Sequence, residues 1–311
     1  MANVLAVFGA TGKQGGSVVN YVLNDPELSK KFKIRAITRD VNSEKSKKLK
    51  EHVEVVQGDV ADRASLETAL TGVHTVFILT TPSLGPNGTG IEYNNAKRIA
   101  DAAVAKNVEY LIFSTLPSIK ALSGDKIRAA VSPFDEKAEA EKYMRGLPIK
   151  SAFFAAGLFM SNFEEQPFLT PRQTPDGTAV LSLHVPATTK LPLIDAVRDS
   201  GKFVGSILAE PEKYQGKTFC AATAMYTFED VVSIMSKVTG KTVIYKQVSE
   251  EEFKKNMQWE PEMFAQFYSF INDPGYFGPD TEKLVAWAAE NARGKLHTFE
   301  EYLRAYPIQF L

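Results

Sequence analysis

The chain has 311 residues, with 36 Lys and Arg against 37 Asp and Glu, so its formal net charge is −1. That balance leaves no global positive field, which argues against nucleic acid as a direct ligand. A single cysteine, Cys220, excludes an internal disulfide framework, and the scattered His52, His74, His184 and His297 lack metal-ligand spacing, so no metal is expected.

The apolar run Val4 to Phe8 has the character of a strand buried on both faces, and the apolar spacing of a helix resumes at Val18, Val19, Val22 and Leu23. Between them lies Gly9-Ala10-Thr11-Gly12-Lys13-Gln14-Gly15, a G-x-x-G-x-x-G turn. Such a turn aims backbone N–H groups and the positive end of a helix dipole at one place, where a pyrophosphate is the natural occupant. Gly9 turns the chain, Gly12 admits the phosphates, and Gly15 lets helix approach strand.

A second strand is predicted over Lys33 to Thr38, and the residues after it face the adenosine ribose of a doubly wound sheet. Arg39, with Asn42, Ser43 and Lys45 behind it, favours NADP over NAD by pairing with a 2′-phosphate. The alternative makes Asp40 the ribose acid. Lys45 to Lys50 reads as a short basic helix and Val53 to Gln57 as a third strand running into Gly58-Asp59-Val60. Asp59 is placed either to accept from the adenine amine or to serve its own turn.

A helix over Ala64 to Leu70, capped by Asp62, leads to a fourth strand, His74 to Leu79, and then to Thr80-Thr81, whose hydroxyls are expected beside the nicotinamide ribose. Pro82 to Gly90 reads as a loop and a candidate lid. A helix over Ile91 to Lys106, a strand over Tyr110 to Ser114, a charged helix over Phe134 to Gly146 and a sixth strand over Ile149 to Phe154 keep up the β, α alternation. The fold class expected is therefore α/β, a Rossmann-like doubly wound parallel sheet with a smaller, mostly helical α+β C-terminal lobe. The dinucleotide-binding domain is placed at residues 1–156, with later strands from about 179–225, and a substrate or partner lobe at 157–311, interleaved with the sheet.

In that lobe the pattern predicts strands over Ala179 to Leu183 and Lys217 to Ala221, a helix over Asp199 to Leu208, and mostly helix from Thr227. Cys220, in an apolar strand, is expected to pack as a small hydrophobe. Phe264, Phe267, Tyr268, Phe270, Tyr276 and Phe277 have the spacing of core residues, with a pocket wall as the alternative. No apolar run approaches the roughly 20 residues of a membrane span, and the strand beginning near Met1 leaves no room for a signal peptide. The expected location is cytoplasmic or nuclear.

Gly9 to Val19 with its Gln14-Gly15-Gly16-Ser17-Val18 core, Thr38-Arg39-Asp40, Val56-Gln57-Gly58-Asp59, Phe134-Asp135-Glu136-Lys137 and Gly157-Leu158-Phe159-Met160-Ser161-Asn162 together resemble the NmrA-like family, an atypical branch of the short-chain dehydrogenases. The resemblance runs through the whole chain. It implies NADP or NAD in a Rossmann domain, with contacts from Gly9, Ala10, Thr11, Gly12, Lys13 and Gln14, from Arg39, Asp40, Asn42 and Ser43, from Asp59 and Val60, from Thr80, Thr81 and Lys137, and from Phe159 to Asn162. Asn94 stands where some relatives have lysine, and Ala155-Ala156 replaces the commoner Arg-Pro.

Several members of that family are redox sensors or transcriptional co-regulators, and the related isoflavone-reductase-like proteins are NADPH-dependent reductases. Short-chain dehydrogenases use a tyrosine four residues before the lysine, and here Pro133 precedes Lys137 by that interval. Tyr93 and Lys97 have the dyad spacing on the wrong helix. The absent tyrosine favours an NADP-binding regulator with a protein partner. The alternative is a reductase of a small organic substrate in which Lys137 serves as general acid or base.

Overall fold

A computed structural model describes residues 2–82, 88, 90–124 and 132–311. Strands β1 (Asn3–Phe8), β2 (Phe32–Thr38), β3 (Glu54–Gln57), β4 (Thr75–Ile78), β5 (Tyr110–Thr115) and β6 (Lys150–Ala156) alternate with helices, as the apolar runs predict. Two short strands, β7 (Leu158–Phe159) and β8 (Arg172–Gln173), follow, then β9 (Ala179–Leu183), β10 (Lys190–Ile194), β11 (Thr218–Ala221), β12 (Ala224–Thr227) and β13 (Val243–Gln247). The main sheet has seven strands in the order β11-β6-β5-β4-β1-β2-β3. Every pairing in it is parallel.

Helices cover both faces, which is why the central strands are apolar at every position rather than at alternate ones. On one face the helices Lys13–Asn24 and Ser200–Ala209 pack Val18, Val22, Phe203 and Ile207 against Leu5, Val7 and Phe154. On the other, the helices Arg63–Ala69, Ile91–Ala105 and Ser132–Arg145 bring Leu66, Ile99 and Met144 onto Ala6, Val76 and Phe113. Asp62 caps the first of these, accepting from the N–H groups of Ala64 and Ser65.

The C-terminal lobe has its own core, built around Phe163, Phe228, Tyr268, Phe270 and Phe299. It is less purely helical than the pattern predicts. Two three-stranded sheets, β12-β10-β7 and β13-β9-β8, run through it. Of the stretch 179–225, from which later strands of the main sheet were expected, only β11 joins that sheet; β9 pairs instead with β13 and β8. The reason is topological: β9 follows the β7–β8 excursion out of the sheet, whereas β11 returns after the helix Ser200–Ala209, which lies on the sheet face. Among the described residues no helix is long and apolar enough to cross a membrane.

Candidate functional site

The strand order reverses between β1 and β4, and in an open α/β sheet the crevice beyond that point receives the ligand. There Gly9 adopts φ +68°, a conformation that favours glycine, and accepts a hydrogen bond from the Gly12 N–H at 2.9 Å. A Cβ on Gly15 would lie 2.3 Å from the Gly9 carbonyl oxygen, so only glycine lets helix and turn come this close. The helix Lys13–Asn24 begins on Gly12 with no side-chain cap and no acidic residue in its first turn. Its leading N–H groups and dipole therefore suit an anion.

At the adenosine end the residues after β2 are already ordered by one another. Asp40 accepts from the Asn42 N–H at 2.8 Å, and Ser43 caps the helix Glu44–Lys50 by accepting from the Ser46 N–H. Ser43 and Ser46 both donate to the Asp40 carbonyl. Those bonds spend the Ser43 hydroxyl on the turn, and Arg39 is an exposed side chain beside it. One Asp59 oxygen accepts from the Ala61 N–H at 2.9 Å, a turn role, while Val60 packs against the core under the crevice.

At the strand ends where the sequence places the nicotinamide lies a buried cluster. Lys137, on the helix Ser132–Arg145, reaches across to β4 and β5, its Nζ 2.7 Å from Glu92 Oε1, 3.1 Å from Thr80 Oγ1 and 3.4 Å from the Ser114 carbonyl oxygen. Thr80 in turn donates to Glu92 Oε1 at 2.8 Å. Burial pushes the Lys137 pKa below the ordinary lysine value, and the Glu92 carboxylate opposes that shift. The Thr80 hydroxyl, expected beside the ribose, thus gives its proton to the ion pair. Thr81 is exposed. Next along the helix, Glu136 accepts from the N–H groups of Gly90, Glu92 and Tyr93 and so fixes the start of the helix that carries Glu92.

Nothing in the sequence marks Glu92. An acid in the first turn of a helix is ordinary, and its meaning comes only from the crossing of two helices over the strand ends.

A cleft of about 440 Å³ opens on Lys137, Thr80, Gln14 and Ser114 and runs into the C-terminal lobe. Phe159 and Asn162, which the resemblance assigns to the cofactor, line it, and so do Phe134, Trp259, Met263, Phe264, Phe267 and Tyr276. The aromatic cluster is accordingly divided: Tyr268 and Phe270 are core, as expected, whereas Phe264, Phe267 and Tyr276 present an edge to the cleft. The helix Pro261–Asn272 buries one side in the lobe and turns the other to the crevice. Hydroxyls around the cleft are engaged: Ser114 donates to Gln14 Oε1 at 2.6 Å and Tyr276 to the Ala156 carbonyl at 3.2 Å.

Lys13 bridges the two halves, its Nζ 2.7 Å from Ser161 Oγ and 2.6 Å from Glu165 Oε1. Ala10 is buried and Thr11 exposed on the same turn. The displaced pair is structural: Lys97 bonds Asp101 and Tyr143, and Tyr93 packs edge-on against Tyr143. Cys220 is buried, and that burial pushes its thiol up to about 12, so no reactive thiolate forms at neutral pH. The expected lid at 82–90 lies largely outside the described residues; the stretch 115–133, where the sequence shows no helical pattern, is described except at 125–131, and it holds a short helix, Ile119–Leu122, capped by Ser118.

Sheet order, glycine turn and uncapped helix together define a Rossmann-type α/β protein of dinucleotide-binding architecture. The NmrA-like family model matches residues 1–303, and the chain belongs to that family. An NmrA-like family domain-containing protein of Dictyostelium discoideum is 29% identical over 310 residues, 98% of each chain. The NmrA-like family domain-containing oxidoreductase lnaB of Aspergillus flavus is 30% identical over 301 residues, covering 90% of this chain and 87% of its own. Among solved structures, NmrA, a negative transcriptional regulator in complex with NADP, superposes with a TM-score of 0.82 at 22% identity, over 98% of this chain and 95% of that one. The same protein is also known in complex with NAD.

Proposed function

We propose that this protein is an NADP(H)-dependent reductase of small, uncharged, largely apolar molecules. The observation that carries the reading is the cleft of about 440 Å³ that opens directly on Lys137, within the size range of small-molecule sites and walled by Phe134, Trp259, Met263 and Phe267. A surface that served only to report cofactor occupancy would have no need of an apolar chamber at the reactive end. The relatives named as oxidoreductases support the same reading.

The residues fit a dinucleotide, since the uncapped helix start would hold the pyrophosphate and the close Gly9–Gly15 approach leaves its path clear. Arg39 would pair with the 2′-phosphate, which favours NADP over NAD. The reduced nicotinamide, when bound, supplies a hydride. Lys137 would hold the nicotinamide ribose, and the aromatic walls would exclude water and orient a flat acceptor.

The test is NADPH oxidation against a panel of apolar conjugated carbonyl compounds and quinones, with Trp259→Ala and Phe267→Ala alongside wild type. Saturable turnover whose KM rises in both variants is expected. Binding of NADP without turnover on any acceptor would overturn the reductase reading.

One observation favours the regulator instead. Lys13 ties the phosphate turn to Ser161 and Glu165, so an anion at Gly9–Gly12 competes for that lysine and frees the segment 158–165. Limited proteolysis with and without NADP separates the two: a cofactor-dependent change of cleavage in 158–165 with no turnover supports a sensor, which would then act on a protein partner.

A further inference from the structure

We propose that Glu92 is a positioning residue of the dinucleotide site, whose carboxylate keeps Lys137 protonated and in place against the ends of β4 and β5. The inference rests on the cofactor-site reading above and deepens it. A lysine amine in an apolar setting loses its proton readily, and Lys137 lies among Phe113, Thr80 and Ser114 with almost no solvent contact. Its bond to Glu92 Oε1, at 2.7 Å, is the shortest it makes; the contacts to Thr80 and Ser114 run from 3.1 to 3.4 Å. Glu92 is equally dependent on the lysine. One of its oxygens carries both the Lys137 and Thr80 bonds, and the other, Oε2, is buried with no partner among the described residues.

Other ionisable groups near the lysine are spent elsewhere. On its own helix Asp135 accepts from Ser118 and the Lys120 N–H, Glu136 from the backbone of the Ile91–Ala105 helix, and Glu141 from Arg145. From the C-terminal lobe, Tyr276 gives its proton to the Ala156 carbonyl, and burial holds its phenol above the ordinary range. From the strands, Thr80 and Ser114 do not titrate. Glu92 is therefore the one charge among the described residues that sets the state of Lys137. Of the ammonium's contacts, the long one to Ser114 is the one a ribose hydroxyl can replace without disturbing the ion pair.

The experiment measures NADPH and NADP affinity by titration from pH 7 to 10 for wild type, Glu92→Gln, Lys137→Met and the double variant. The range starts where a phosphate monoester, with its second pKa near ~6, is already ionised. Contributions from Lys13 and Arg39 are common to all four proteins and cancel in the comparison. In wild type the loss of affinity with rising pH should come late. In Glu92→Gln it should come at least one pH unit earlier, because an unopposed desolvated ammonium titrates lower. Lys137→Met should bind more weakly with no such step, and the double variant should bind no worse than Lys137→Met.

Coincident profiles for wild type and Glu92→Gln, or losses that add in the double variant, would overturn the proposal while leaving the cofactor site standing. Failure of wild type to bind either nucleotide would overturn both. If Glu92→Gln does not fold, the double variant, which buries no unpaired charge, still reports whether Glu92 acts through Lys137, and Glu92→Asp should show an intermediate profile.

Discussion

One lysine–glutamate pair opens on the cleft and another starts from the glycine turn, and they differ in almost everything but chemistry. Lys137 and Glu92 are 7% and 1% exposed, closed on each other and on Thr80. Lys13 and Glu165 are 34% and 54% exposed, one on the phosphate turn and one on the C-terminal lobe. The buried pair is costly to form, because both charges leave water, and costly to break, because either partner alone would be stranded. The exposed pair is screened and replaceable. In the proposed reading they do different work: the first would be scaffold for the reactive end of the ligand, and the second a contact that a phosphate would take over.

The strongest way to break the contrast is to strand a charge. Lys137→Met leaves the Glu92 carboxylate buried without its counter-ion and should lower unfolding stability by about 3–5 kcal/mol in urea denaturation. Lys137→Met combined with Glu92→Gln should recover most of that loss, since neither charge remains. Lys13→Met should cost far less. A Lys137→Met variant as stable as the Lys13→Met one would show that burial does not separate the pairs.

The two pairs also differ in how pH reaches them. The folded pKa of Lys137 lies below the ordinary 10.5 because of burial. Between the lowered value and 10.5 the unfolded chain binds the extra proton, so this residue makes stability rise with pH across that window. The double variant Lys137→Met/Glu92→Gln should lack that rise. Equal pH dependence of stability in wild type and the double variant would mean that Lys137 titrates in the fold as it does in the open chain.

How much of this was readable from residues alone divides along the same line. The glycine turn and the strands up to β6 were legible, because buried parallel strands are apolar runs. Arg39 was singled out because it follows β2, whereas Lys137, on the helix Ser132–Arg145, was singled out by the family resemblance. The partner of Lys137 could not be placed, since Glu92 is adjacent to it only after the helices Ile91–Ala105 and Ser132–Arg145 cross. Nor could the small sheets of the C-terminal lobe. Lys190-Leu191-Pro192-Leu193-Ile194 contains a proline, and Val243-Ile244-Tyr245-Lys246-Gln247 mixes exposed and buried positions, so neither has a clean period. Phe264, Phe267 and Tyr276 carry core spacing because they belong to the core on one side and the cleft on the other.

A third cation sharpens the comparison from outside both pairs. Arg39 is exposed and sits beside a turn that Asp40, Asn42 and Ser43 already hold in shape. Among the described residues no hydrogen bond or ion pair holds its side chain before it meets a 2′-phosphate. Arg39→Ala should weaken NADP by about 1.5 to 3 kcal/mol, the value of a charge-assisted contact, and leave NAD nearly unchanged. Equal losses for both nucleotides in calorimetry would remove it as the discriminator.

The smallest effect belongs to the exposed pair, and its sign is the informative part. Glu165→Gln should change unfolding stability by no more than about 1 kcal/mol, and by less in 1 M salt, where the Debye length falls to about 3 Å. Its effect on ligand affinity should run the other way from every variant above. Glu165 and Ser161 hold the Lys13 ammonium, so a dinucleotide that recruits the lysine to its phosphates must break that contact. Removing the carboxylate takes away the competitor, and NADP affinity should rise about two- to fivefold, within the range of a surface ion pair. The gain should shrink as salt is added, because salt weakens the competitor in wild type as well. A loss of affinity in Glu165→Gln would mean that the Lys13–Glu165 contact belongs to the bound state, closing the C-terminal lobe over the ligand instead of competing with it.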